Sequence, residues 1–263
     1  MASVRPADLF EAPNVLAPDY ARFGVAERLL LTGHSHQAWP DRARRGPIRA
    51  FEDAAELVDG KWERAFAAAD SVRRGFAELL GVTADEIALG ASTHELFVRL
   101  LSALPLAARP RVVTTDGEFH TARRQLDRLA EAGIEIARAP AAPAAEAGER
   151  LATLVDDRTA VAVISAVFFE SGAIAGGLDR LARRCEAVGA ALVVDAYHAL
   201  DVVPYRLAER DLAGAYVLGG GYKYCQLGEG NCFLRVPPGV EARPAITGWF
   251  AEFADLGGAP APG

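Results

Sequence analysis

The chain has 263 residues, 51% of them hydrophobic and 24% charged, with a formal net charge of −7. That balance describes a globular protein of one large domain or two small ones, long enough to bury a full core. No basic tract stands apart from the acidic residues and no apolar run reaches membrane-spanning length, which argues against nucleic-acid and membrane partners.

The opening "MASVRPADLFEAP" lacks the basic-then-apolar order of a secretory signal, and residues 1–40 read as irregular, broken by Pro6, Pro13, Pro18 and Pro40. From Asp41, "DRARRGPIRAFEDAAELV" and "WERAFAAADSVRRGFAELLG" place apolar residues three and four apart, predicting two helices, the second stopped by Gly81. Short apolar runs then alternate with helical stretches. "EIALG", "RVVTT", "IEIARA", "AVAVISAVFF", "ALVVDAY", "AYVLGG" and "CFLRV" predict strands. "THELFVRLLSAL", "TARRQLDRLAEAG", "AAEAGERLATLV" and "LDRLARRCEAVGA" predict helices between them. Runs apolar throughout are buried on both faces, so the alternation predicts an α/β fold with a mainly parallel sheet sandwiched by helices. The last two strands have no helix between them, and one of them is expected to run antiparallel. Cys185, Cys225 and Cys232 are few, odd in number and without metal-ligand spacing. They read as reduced thiols of a cytoplasmic protein.

In an open parallel sheet, ligands gather beyond the carboxyl ends of the strands. The polar clusters expected there are "GASTHE", "TTDGEFH", "FFESG", "DAYH" and "GGGYKY". Lys223 is one of only two lysines among 28 basic residues; Arg supplies the other positive charges. An amine can be deprotonated and attack a carbonyl to form a Schiff base, whereas a guanidinium cannot. The ordinary alternative is a surface lysine, but three glycines and two flanking tyrosines argue against it. Asp195 ends a very apolar strand, where a carboxylate needs a cation or strong donors, and His198 follows three residues later. A turn or helix-cap role for Asp195 is the competing reading. Ser92 and Thr93 open a helix, where free N–H groups and the helix dipole favour an anion; an ordinary N-cap explains them equally well.

In this order, the turn at Ser92, an aromatic after an acid in "GEFH", the Asp-x-x-His of "DAYH" and the Tyr-Lys-Tyr of "YKYCQLGEG" resemble the pyridoxal-phosphate enzymes of fold type I. The likeness is to the class V aminotransferase superfamily, and within it to kynureninase more than to the cysteine desulfurases. It runs from about Leu30 to Phe250. It implies the cofactor pyridoxal 5′-phosphate in Schiff-base linkage to Lys223, with Asp195 on the pyridine nitrogen and His198 near the phenolic oxygen. Phe119 falls at the position whose ring stacks on the cofactor, with His120 as the fallback. Ser92, Thr93 and Tyr222 would bind phosphate. Thr247 or Trp249 in "TGWF" would reach the phosphate of a dimer partner, and "TGHSHQAWP" would border the substrate. His34 and His36 lack a third ligand nearby, so no metal is expected.

The resemblance divides the chain into an irregular N-terminal segment (1–40), a cofactor-binding large domain (41–250) and a low-complexity tail (251–263). The family's small C-terminal domain, which usually grips the substrate carboxylate, is expected to be absent. None of the three cysteines occupies the desulfurase position. The expected function is that of a dimeric cytoplasmic enzyme acting on an amino acid, by transamination or by kynureninase-like hydrolysis. A cofactor-binding but catalytically incomplete remnant, with an interaction or regulatory role, is the alternative. An unrelated α/β phosphate binder would leave Lys223 and Asp195 unexplained.

Overall fold

The computed structural model describes residues 15–255 together with Ala7, Gly257 and Gly258. A 3₁₀ stretch at Ala17–Phe23 lies within the segment expected to be irregular. Two helices follow, α1 (Arg45–Leu57) and α2 (Lys61–Leu80). Gly81 ends α2 with φ of 69°, a left-handed conformation that suits a residue without Cβ.

Seven strands form one sheet: β1 (Ile87–Gly90), β2 (Arg111–Thr115), β3 (Glu135–Ala139), β4 (Thr159–Ser165), β5 (Ala191–Asp195), β6 (Tyr216–Gly220) and β7 (Cys232–Arg235). Their order across the sheet is β1-β7-β6-β5-β4-β2-β3. β7 is antiparallel to both neighbours, and the other pairings are parallel. The antiparallel member is therefore the strand reached without a helix. The crossovers carry α3 (Thr93–Ala103), α4 (His120–Glu131), α5 (Ala147–Leu154) and α6 (Leu178–Val188).

Both faces of the sheet are covered. Ala162 and Ile164 of β4 pack into a core with Phe76 and Leu80 of α2, Leu151 of α5 and Leu181 of α6. Val161 and Val163 point the other way, toward Phe97 and Leu100 of α3 and Leu126 of α4. Every residue of β4 is buried, as its unbroken apolar run requires. β4 stops at Ser165, earlier than its apolar pattern. There the Ala166 N–H bonds the Asp195 carbonyl at 2.8 Å, and Phe168 N–H bonds Ala173 O at 3.0 Å, turning the chain back on itself.

At the amino end of β1, Arg235 is 2% exposed. Its guanidinium reaches Glu86 at 2.6 and 2.8 Å and the carbonyls of Ala213 and Ala215 at 2.7 Å each. Four contacts to three acceptor oxygens satisfy a buried fork of donors.

Candidate active site

Every strand except β7 points its carboxyl end to one edge of the sheet. A cavity of about 280 Å³ opens there, lined by Ser92 and Thr93 after β1, Phe119 and Thr121 after β2, Ser165, Val167 and Phe169 at the end of β4, Asp195, Tyr197 and His198 after β5, and Tyr222 and Lys223 after β6, with Cys232 of β7.

Lys223 is 5% exposed. Its loop is fixed by Gly221 N–H to Asn231 O (2.8 Å), Leu227 N–H to Gly221 O (2.9 Å) and Gln226 N–H to Lys223 O (3.2 Å). The preceding glycines are set by packing. A Cβ on Gly220 would lie 2.5 Å from the Tyr197 hydroxyl and 2.7 Å from Cys232 Sγ, and one on Gly221 would lie 2.7 Å from Leu227 Cβ. The backbone therefore passes against neighbouring side chains, which brings the amine to the cavity. Nζ hydrogen-bonds His198 Nε2 and lies 4.9 Å from the Tyr197 ring centroid, 5.2 Å from Phe119 and 5.7 Å from Tyr222. Burial lowers the Lys223 pKa, while the charge of Asp195 opposes that fall.

His198 sits on a helical turn held by Leu200 N–H to Ala196 O at 3.0 Å. Burial, and then the charges of Lys223 and His34, push its pKa down to about 4. At neutral pH the imidazole is uncharged and can accept from the lysine without adding a second positive charge.

Asp195 receives the Tyr197 N–H at 2.9 Å, the one donor to its carboxylate among the described residues. Burial raises its pKa against that hydrogen bond and the charge of Lys223. The carboxylate opens only partly to the cavity and has room for another donor.

Ser92 does cap α3, accepting Glu95 N–H at 3.1 Å, and also lines the cavity, where its hydroxyl donates to no acceptor among the described residues. The capping and anion-site readings are thus compatible. The His36 ring lies tilted against that of Tyr222, with centroids 5.5 Å apart, and is 3.9 Å from Glu229 at the cavity rim. The hydroxyl of Tyr20 donates to the side chain of Gln226, tying the N-terminal segment to the Lys223 loop. Among the described residues, no group of three or more His, Cys, Asp or Glu could hold a metal ion.

Ser92, Thr93, Phe119, Asp195, His198, Tyr222 and Lys223 thus share one cavity. Three other residues singled out from the sequence do not line it. His120 is exposed at the start of α4, its ring 5.3 Å from that of Phe119. Thr247 is exposed, and Trp249 packs in an aromatic cluster with Trp62, Phe250 and Phe253. Next to Thr247, Ile246 N–H bonds Ser102 Oγ at the end of α3 (3.1 Å). Sequence reasoning passed over Ser165, Thr121, Tyr197 and Phe169. It also quoted Glu118 without a role, although Glu118 is 4% exposed and bonded to Ser165.

The family model described as aminotransferase class-V matches residues 58–212, more than half of the chain. The chain belongs to the aminotransferase class-V family. This member is 24% identical over 215 residues to the uncharacterized aminotransferase YcbU of Bacillus subtilis (strain 168), covering 81% of this chain and 56% of the relative. It therefore spans little more than half the length of that curated relative. Solved structures share its fold. A mutant of C-DES with glycine covalently linked to its PLP cofactor superposes with a TM-score of 0.76 at 16% identity, over 89% of this chain and 63% of C-DES. A NifS-like protein gives 0.69 at 21% identity, over 82% and 60%. The cysteine desulfurase of Thermococcus onnurineus NA1 gives 0.67 at 17% identity, over 90% and 58%. The class-V member has the fold type I large-domain architecture, as the resemblance implied, on the mainly parallel sheet that its strand–helix alternation predicted.

Proposed function

We propose that this class-V aminotransferase family member is a pyridoxal 5′-phosphate-dependent enzyme acting on an amino acid. One observation carries the reading: the buried amine of Lys223 and the strand-end carboxylate of Asp195 line a single cavity.

The cavity fits the group. Its amine is shifted toward the neutral, nucleophilic form and so is suited to covalent attachment of an aldehyde. Asp195 has an open acceptor for a ring N–H, Phe119 offers an aromatic face, and His198 stands beside the amine as a neutral hydrogen-bond partner. Ser92, Thr93 and Tyr222 stand where the N-terminus of α3 favours a phosphate. When bound, the cofactor supplies an electron sink for charge developing at the amino acid α-carbon. Lys223 would be the base placed to take and return the α-proton, and Asp195 would hold a ring N–H.

The "DAYH" and "YKYCQLGEG" segments favour kynureninase-like hydrolysis or transamination over desulfurase chemistry. A cytoplasmic homodimer, in which Thr247 or Trp249 serves the neighbour's site, completes the reading. Their exposure supports that assignment.

After incubation with pyridoxal 5′-phosphate and removal of unbound cofactor, the purified chain should retain an imine absorption band in the near-ultraviolet to visible, lost in Lys223→Ala. A chain that retains no such band overturns the proposal. If the band forms, a panel of amino acids tests turnover: a spectrum unmoved by all of them would identify a cofactor-binding protein without activity. Where turnover occurs, Lys223→Ala should lower it at least about 10²–10⁴-fold through lost proton transfer alone.

A further inference from the structure

Beneath the cavity floor lies a carboxyl group to which the proposed function gives no task. Glu118 does not line the cavity. It follows the turn after β2, between the ends of β2 and β4. Thr115 Oγ1 donates to its Oε1 at 2.6 Å, and Ser165 Oγ donates to its Oε2 at 2.6 Å. Ser165 reaches the cavity, and in the parallel β4–β5 register its Cα partner is Asp195. A chain of contacts thus runs from a buried acid through one hydroxyl to the cavity surface beside Asp195.

The direction of those hydrogen bonds depends on one proton. An ionised carboxylate only accepts, so with Glu118 charged the Ser165 hydrogen is committed to it, and Ser165 Oγ can only accept from the cavity. A protonated Glu118 carries an O–H that must itself be donated. Thr115 Oγ1 already accepts Gly117 N–H at 3.2 Å, whereas no described donor reaches Ser165 Oγ. Ser165 is therefore the better acceptor. Once it accepts from Glu118, its own hydrogen is free to turn into the cavity.

We propose that Glu118 is a positioning residue that, through Ser165, sets whether the cavity floor beside Asp195 offers a bound molecule a hydrogen-bond acceptor or a donor. The inference rests on the cofactor reading for the identity of that molecule. The charges around the pair are few. Asp195 on β5 opposes ionisation of Glu118, and the charge of Lys223 in turn favours ionisation of Asp195. Asp116 and His120, the nearby residues of its own segment, are exposed. Burial raises the Glu118 pKa to about 7 against the two hydroxyl bonds, so both protonation states are accessible near neutrality.

Two measurements on the full chain test the proposal. In the cofactor-free protein labelled with ¹³C-carboxyl glutamate, one signal should titrate near neutral pH and vanish in Glu118→Gln. Its midpoint should rise in Ser165→Ala, which removes a donor to the charged form, and return in Ser165→Thr. With pyridoxal 5′-phosphate bound and the unbound cofactor removed, the pH profile of the retained band should carry the same midpoint in wild type and lose it in Glu118→Gln and Ser165→Ala. No glutamate titrating above about pH 6, or a midpoint unmoved by Ser165→Ala, overturns the proposal even if Glu118→Gln fails to fold. A band whose pH profile is identical in all chains removes the positioning role and leaves the cofactor reading standing. Absence of any band in wild type removes both.

Discussion

At Glu118 and His198 burial moves two ionisable groups in opposite directions, and the protein's response to acid follows from their difference. Glu118 is raised in the folded state, so its contribution to stability is full below about pH 4.5 and is lost as pH climbs through about 7. His198 is lowered to about 4, so its contribution is present above about pH 6.5 and is lost as pH falls toward 4. Between these limits the two trends oppose each other. Glu118→Gln removes the first, and stability of that variant should rise more steeply from pH 4.5 to 7 than in wild type. Relative to wild type the variant should gain on the order of 3 kcal/mol between the ends of that window, measured by urea unfolding at each pH. A difference independent of pH would show that Glu118 titrates normally. The sequence already displayed Lys223, Asp195 and His198, because a rare lysine and an acid at the end of an apolar run stand out one residue at a time. Glu118 and Ser165 gave no such sign. Their meeting depends on β2 lying next to β4, a fact of strand order that local pattern does not encode.

Among the elements, strands buried on both faces were legible because their apolar runs leave no polar alternation, and helices because their apolar residues recur at three and four. The premature end of β4 was not, since Ala166, Val167 and Phe168 are as apolar as the strand itself. What stops it is the local hydrogen-bonded turn between Phe168 and Ala173. The purpose of the "GGG" run was half legible: close approach was expected, but the atoms approached, on Tyr197, Cys232 and Leu227, come from three other places in the chain. At the opposite end of the sheet, Glu86 holds Arg235 where β1 meets β7. Burial works against the Glu86 charge, but the Thr83 and Arg235 hydrogen bonds outweigh it and keep its pKa below the usual value. Glu86→Ala leaves a buried guanidinium without its counter-ion and should destabilise the fold by about 3–5 kcal/mol, read as a lower urea midpoint. A loss below about 1 kcal/mol would mean that the two backbone carbonyls suffice.

On the scale of the molecule, the apolar surface is unevenly finished. α1 buries none of its residues and leaves Phe51 75% exposed, while Leu29 and Leu31 are 83% and 73% exposed. Exposed apolar side chains such as these are available to an association surface. Sedimentation should find a species of twice the 27.9 kDa chain mass, shifted toward one chain by Phe51→Asp. A wild-type protein sedimenting as a single chain at all concentrations would rule the homodimer out. The sheet order has a temporal consequence as well. Among the described residues β1 pairs with no strand but β7, so residues 87–90 wait for residues 232–235 before they have a place in the sheet. During synthesis, the segment that presents Ser92 and Thr93 is made early yet seated late. Closure of so long a loop is slow, and the pocket wall at α3 should be among the last regions to gain protection in pulsed hydrogen exchange.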